Sequence, residues 1–161
     1  MKSIVFVRHA KSSWDYEVSD LNRPLSRRGF TDATLVSNAF GTYNFIPDAI
    51  YSSSANRART TCQIFMDNLD LEIDLLTIDE KLYDFGGDKV LRFIKSLDNS
   101  LGKVMIFGHN YAFTTLANTL GDISVDNLPT SGLVMIDFEI SQWKDLIRGK
   151  TKVILKPKDF K

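Results

Sequence analysis

Short apolar runs, rich in β-branched residues and spaced about a helix apart, constrain this chain more than any other feature. Ser3 to Val7, Ala49 to Ser52, Leu75 to Ile78, Val104 to Phe107 and Leu133 to Phe138 each have the length of a strand, and Lys152 to Leu155 supplies a sixth. Most are continuous rather than alternating, as strands covered on both faces are. Helical patterns lie between them. Ser26 is placed to cap a helix carrying Ala33, Leu35, Val36 and Ala39, and a second helix begins near Ala55 and carries Ala58, Cys62, Ile64 and Phe65. A third takes Lys89 to Leu97, and a fourth runs from Tyr111 to about Leu120 and stops at Gly121. Strand and helix in alternation imply an α/β fold: a three-layer α/β/α sandwich with a mostly parallel central sheet. The last two strands flank a polar stretch and read as an antiparallel edge pair. With no internal repeat, low-complexity tract or linker, residues 1–161 read as one domain, long enough for a core without disulfides or metal.

Twenty Lys and Arg balance twenty Asp and Glu. A net charge of zero exerts no global pull toward nucleic acid or anionic membrane, so any affinity for phosphate has to be local. The single cysteine, Cys62, excludes an intramolecular disulfide and every multi-cysteine metal framework, and beside Ile64 and Phe65 it reads as core. Two histidines allow at most a two-histidine, one-carboxylate metal site. The apolar run Ile4 to Val7 is broken by Arg8, His9 and Lys11 before a signal-peptide core could form, and no segment approaches the roughly 18 apolar residues of a membrane span. The expectation is a cytoplasmic protein with no nucleic-acid or membrane partner.

In open α/β sheets ligands bind beyond the carboxyl ends of the strands. The first strand leads into Arg8 and His9, the second into Ser52, Ser53, Ser54 and then Arg57, the third into Asp79 and Glu80, and the fourth through Gly108 to His109. Both histidines thus fall on one edge. Arginine forks bind phosphate oxygens, one histidine can act as nucleophile and the other as donor, and a carboxyl can supply a proton, an inventory that suits phosphoryl transfer. In this reading the attacking histidine is neutral and the other cationic, and nothing requires a metal or cofactor. Other phosphatase designs fail on the same residues. The position of a cradle arginine, with five residues between it and Cys62, is filled by Asn68, no glycine-rich phosphate loop is present, and the acidic run Asp70 to Asp74 has no phosphate donors beside it. Arg59 reads as solvated, Trp14 as a packing or pocket-wall aromatic, Asp15 and Asp20 as turn residues, and Trp143, Lys150 and Lys152 as decoration of the terminal hairpin.

The ordered motifs resemble a known family. Arg8-His9-Ala10, then Asn22-Arg23-Pro24-Leu25-Ser26-Arg27-Arg28-Gly29, then Ser52 to Thr61 with Arg57, then Gly108-His109-Asn110, are similar to the signatures of the histidine phosphatase (phosphoglycerate mutase-like) superfamily. Within it they most resemble the SixA-type phosphohistidine phosphatases, and the likeness runs through Leu128 to Gly132 toward Trp143. The resemblance implies that His9 attacks phosphorus and becomes a phosphohistidine, while Arg8, Arg57 and His109 hold the phosphoryl oxygens. Ser12 and Arg23 are candidates to shape the phosphate pocket. Glu80 matches the general acid of larger members, an acid that SixA-type members often lack. The first motif carries Ala10 where the superfamily signature has glycine, a departure expected to be tolerated.

Leaving-group chemistry explains why the acid is optional. An alkoxide needs a proton donor, whereas imidazole, with a pKa near ~6.5, leaves readily once protonated. Between Tyr83 and Lys89 only a short turn stands where larger relatives insert a lid, so the pocket would be uncovered and open to a histidine projecting from another protein. The favoured reading is therefore a phosphohistidine phosphatase acting on a histidine-phosphorylated protein such as a phosphotransfer domain. A small-molecule phosphomonoesterase using Glu80, and a phosphate-binding module without turnover, are the alternatives.

Overall fold

The chain builds its sheet from strands β1 (Lys2–Arg8), β2 (Ala49–Ser52), β3 (Leu76–Ile78), β4 (Lys103–Gly108), β5 (Leu133–Phe138) and β6 (Lys150–Leu155) in a computed structural model that describes all 161 residues. Helices α1 (Arg27–Gly41), α2 (Asn56–Leu69), α3 (Asp88–Lys95) and α4 (Ala112–Leu120) connect the first five. The spatial order is β3-β2-β4-β1-β5-β6. The first four strands are parallel; β5 runs against β1 and β6 against β5, so the reversed strand lies one place in from the edge.

Alternation along β1 divides its side chains between two cores. Ile4 and Phe6 join Val90 and Ile94 of α3 and Phe113, Leu116 and Ala117 of α4 on one face. Val5 and Val7 join Ala33, Val36 and Phe40 of α1 and Cys62, Phe65 and Met66 of α2 on the other. Cys62 is a core residue, and burial pushes its thiol up to about 12, so it is inert. Trp143 corrects the sequence expectation: it is fully buried in the α3/α4 core and donates its indole N–H to the Leu101 carbonyl at 2.9 Å. No helix is long and apolar enough to cross a membrane.

The topology also fixes where a ligand can enter. Strands β1 and β4 are neighbours, yet the helices that follow them, α1 and α4, lie on opposite faces of the sheet. Their exit loops part and leave a crevice at the carboxyl edge, the switch point at which such sheets hold ligands.

Candidate active site

Strand register sets the crevice. Arg8 pairs with Gly108, the His9 N–H donates to the Gly108 carbonyl at 2.9 Å, and the Ser53 N–H donates to the Phe107 carbonyl at 2.9 Å. His9, His109 and Ser53 are therefore placed by the ends of three adjacent strands, and the two imidazole rings lie 5.3 Å apart. Arg57 enters from the first turn of α2, whose orphan N–H groups also favour an anion there. Thr61, one turn on, ties this helix to the loop after β1: its hydroxyl donates to the Arg57 carbonyl at 2.7 Å and accepts the Ala10 N–H at 2.8 Å. Ala10 is fully buried and is not among the positive-φ residues, so no glycine is needed at that position.

The hydrogen bonds assign both tautomers. His9 Nδ1 lies 2.7 Å from the Ala10 carbonyl, which can only accept, so Nδ1 carries the proton and Nε2 keeps a free lone pair. His109 Nε2 lies 2.8 Å from the Ser53 hydroxyl, which accepts the Ala55 N–H at 3.2 Å and has no acceptor other than this nitrogen for its own proton. The His109 proton is then on Nδ1, a buried donor with no partner. Arg8 Nε and Arg57 Nε are likewise buried and unpartnered. Buried donors are rarely left unpaired, and three at one edge beside a free imidazole nitrogen make a cradle for an oxyanion.

Both histidines are neutral. Burial lowers the His9 pKa to about 3, with Arg57, Arg8 and Arg23 adding to the effect against the opposing bond to Ala10. Burial likewise lowers His109 to about 3, helped by His9, Arg57 and Arg8 and opposed by Asp20. The expected cationic second histidine is thus corrected: among guanidinium groups and out of water, the charged form is disfavoured and His109 acts as a neutral N–H donor.

Asp20, read from sequence as a turn residue, belongs to the site. Its carboxylate accepts from Arg57 Nη2 at 3.0 Å, from Arg23 Nε at 3.3 Å and from the Tyr83 hydroxyl, while its backbone carbonyl accepts from Arg57 Nη1 at 2.7 Å. Burial alone would raise its pKa; the bonds from Tyr83 and Arg57 and the charges of Arg57 and Arg23 outweigh burial and hold it at about 2. The sequence signal was its position three residues before Arg23. Ser131 is the other residue sequence reasoning missed. It is fully buried, sits at a φ of 62°, and donates its backbone N–H to the His9 carbonyl at 3.1 Å.

Of the expected residues, Arg8, His9, Arg57 and His109 converge. Arg8 is anchored by Nη1 on the Leu128 carbonyl at 2.8 Å. Ser12 and Arg23 meet each other, Arg23 Nη1 donating to Ser12 Oγ at 2.7 Å, and the Trp14 ring lies 3.6 Å from the Arg23 guanidinium carbon. Glu80 joins none of these bonds: it is exposed, its carboxylate makes no hydrogen bond or ion pair, and it lines a shallow basin with Leu21, Ser54 and Tyr83. No three His, Cys, Asp or Glu side chains gather closely enough to hold a metal ion.

Comparison with known proteins agrees with this geometry. The sequence profile of the histidine phosphatase superfamily (branch 1) matches residues 4–86. An uncharacterised protein of Mycobacterium tuberculosis is 27% identical over 153 residues, which cover 89% of this chain and 93% of that one. SixA of Agrobacterium tumefaciens superposes with a TM-score of 0.79 at 25% identity, over 97% of this chain and 98% of the other. A protein histidine phosphatase SixA solved with tungstate gives a TM-score of 0.83 at 19% identity over 99% of each chain, a likeness of fold.

Proposed function

Because the chain belongs to the histidine phosphatase superfamily (branch 1), we propose that it removes phosphoryl groups from histidine side chains of proteins through a covalent intermediate on His9. The observation that carries the proposal is the free Nε2 of neutral His9, held by its Nδ1 bond beside the unpartnered donors Arg8 Nε, Arg57 Nε and His109 Nδ1. The His9 Nε2 lone pair forms a bond to phosphorus while the bond from phosphorus to the leaving nitrogen breaks, its electron pair going to that nitrogen. Arg8, Arg57 and His109 are already oriented toward the charge that develops on the phosphoryl oxygens, so little reorganisation is needed. In the second step a water oxygen bonds to phosphorus, the bond to Nε2 breaks with its electron pair returning to Nε2, and phosphate departs carrying both protons of the water.

The open crevice supports a protein substrate. Only Tyr83 to Gly87 separate the turn after β3 from α3, and no inserted lid closes over His9. A cytoplasmic setting belongs to the same proposal, as one unpaired cysteine suits a reducing compartment. A small-molecule phosphomonoesterase is the second reading, favoured by one observation: Glu80 is solvated, unpaired and beside Tyr83 at the mouth, where it could protonate an alkoxide. The binding-module reading leaves the free Nε2 without a role.

The test is phosphate release from a histidine-phosphorylated transfer domain and from an aryl phosphate, with wild type, His9→Ala and Glu80→Gln in excess chelator. Turnover of the phosphoprotein that His9→Ala abolishes, together with a trapped phosphoenzyme in wild type, is the expected result. Activity confined to phosphate esters and lost in Glu80→Gln would transfer the assignment to the second reading.

A further inference from the structure

A carboxylate inside an anion cradle needs a reason. With both histidines neutral, Arg8, Arg23 and Arg57 give the site three positive charges and Asp20 removes one, which weakens its hold on a phosphoryl dianion. Placement of Arg57 does not explain the charge, because the backbone carbonyl of Asp20 already accepts Arg57 Nη1 at 2.7 Å. An ionised carboxylate offers about four acceptor positions; Arg57, Arg23 and Tyr83 take three, and the side chain remains 45% exposed at the mouth. Tyr83 bonds to it through its hydroxyl, and Phe85 packs against the Tyr83 ring. The Tyr83 and Phe85 centroids are 5.3 Å apart, Phe85 lies 4.9 Å from the His109 ring, and Phe85 is 47% exposed. The contacts run without a gap from His9 through His109 and Phe85 to Tyr83 and Asp20.

Resting on the proposed phosphohistidine activity, we infer that Asp20, Tyr83 and Phe85 form a subsite for the leaving imidazole, in which the Asp20 carboxylate accepts the N–H of the protonated substrate ring. Phosphohistidine is reactive when the ring nitrogen not bonded to phosphorus carries a proton, because cleavage then expels neutral imidazole instead of imidazolide. The cationic ring finds a carboxylate for its N–H and the face of Phe85 for its π system. During the step the bond from phosphorus to nitrogen breaks, the pair stays on nitrogen, and the ring departs neutral with its other N–H still donated to Asp20. Asp20 neither gains nor loses a proton. The charged and titratable groups facing it are Arg57 from α2, Arg23 from its own loop, Tyr83 from the turn after β3 and the neutral His109 after β4; the bonds from Tyr83 and Arg57 and the charges of Arg57 and Arg23 keep it ionised. A phosphate ester has no such N–H, so the subsite selects for phosphohistidine.

Asp20→Asn retains a carbonyl acceptor for the arginines and removes the charge. The ratio of kcat/KM on the phosphoprotein to that on the aryl phosphate is expected to fall on the order of tenfold or more, the scale of one charge-assisted hydrogen bond. The alkaline limb of the phosphoprotein profile should move to lower pH by about one unit, since the protonated ring loses its anionic partner, while tungstate inhibits more strongly. Phe85→Leu, which keeps Asp20 and all three arginines, should lower the same ratio and serves if Asp20→Asn folds poorly. An unchanged ratio and alkaline limb in both variants would overturn the subsite, leaving Asp20 a mere support for Arg57 and Arg23. Wild type inert on the phosphoprotein but active on the ester would overturn the proposed function and the subsite with it. Wild type active on both substrates, with the ratio kept in the variants, overturns the subsite alone.

Discussion

His9 and His109 make the stability of the fold depend on pH. Each has a folded pKa of about 3 against 6.5 for the free side chain, so between those values the unfolded chain binds protons that the folded chain refuses. Stability is full above about pH 6.5 and declines as the pH falls toward 3, at up to about 1.4 kcal/mol per pH unit per histidine. Asp20 works in another window, because its depressed pKa contributes stability that is lost only as the pH falls from about 4 through about 2. Denaturant unfolding between pH 7.5 and 4 should show a plateau above about pH 6.5 and a decline below it in wild type, with a shallower decline in His109→Gln, and tungstate should flatten both by favouring a protonated imidazole. The same His109→Gln change should lower kcat by about 10² to 10³, the usual cost of one oxyanion donor, while the proposed intermediate on His9 should still form. Arg8, His9, Arg57 and His109 were legible in sequence because each follows a strand or opens a helix, where the edge of a parallel sheet is fixed by local pattern. Asp20 was not, since its loop crosses the site by long-range bonds such as Arg57 to Asp20, which leave no periodicity in the sequence. The neutrality of His109 was hidden for a related reason: burial of a group is a property of everything packed around it.

At the scale of elements, the first turn of α1 positions the loop that carries Ser12, Asp20 and Arg23. Ser26 caps the helix, accepting the Gly29 N–H at 3.1 Å, and both its N–H and its hydroxyl donate to the Lys11 carbonyl, at 2.8 and 3.0 Å. Gly29 lets that carbonyl approach, because a Cβ there would sit 2.2 Å from the Lys11 oxygen. Gly29→Ala should therefore push α1 off the loop, costing about 1 to 3 kcal/mol, and displace Ser12 from Arg23. Thermal unfolding should report the first effect and weaker tungstate affinity the second. Ser26→Ala removes the cap and the hydroxyl's bond to Lys11 but keeps the backbone N–H bond to the same carbonyl; it should cost about 1 kcal/mol and shift affinity less. The cap was readable from Ser26 before an amphipathic run; the close approach of Gly29 was not, because it depends on a partner eighteen positions earlier. Strand ends differed from the sequence reading where local geometry intervened. Strand β3 starts at Leu76 because Ile73–Leu75 wind into a helical turn, and β6 starts at Lys150, past a register shift opposite Met135 and Ile136.

Across the whole molecule, chemistry and stability are held at opposite ends of the sheet. The site occupies the carboxyl edge of β1 and β4. Trp143 closes the amino edge, where its backbone N–H donates to Asn99 Oδ1 at 2.9 Å, its indole donates to Leu101, and Lys2 reaches the same segment by donating to the Asn99 and Leu101 carbonyls. Its polar neighbours Ser141, Gln142, Lys144 and Asp145 concealed this in the sequence, where a lone tryptophan in a hydrophilic stretch reads as surface. Trp143→Ala empties a fully enclosed position in the α3/α4 core and should cost about 3 to 5 kcal/mol, whereas Trp143→Phe keeps most of the packing and should cost nearer 1 kcal/mol for the lost indole bond. Assayed well below its melting temperature, Trp143→Ala should keep kcat/KM on the phosphoprotein within about twofold of wild type, because five residues of β1, Ser3 to Val7, separate Lys2 from Arg8 and the two ends share no hydrogen bond. A loss of activity that tracks the loss of stability across the two variants would instead mean that packing at the amino edge sets the register that brings His9 to His109.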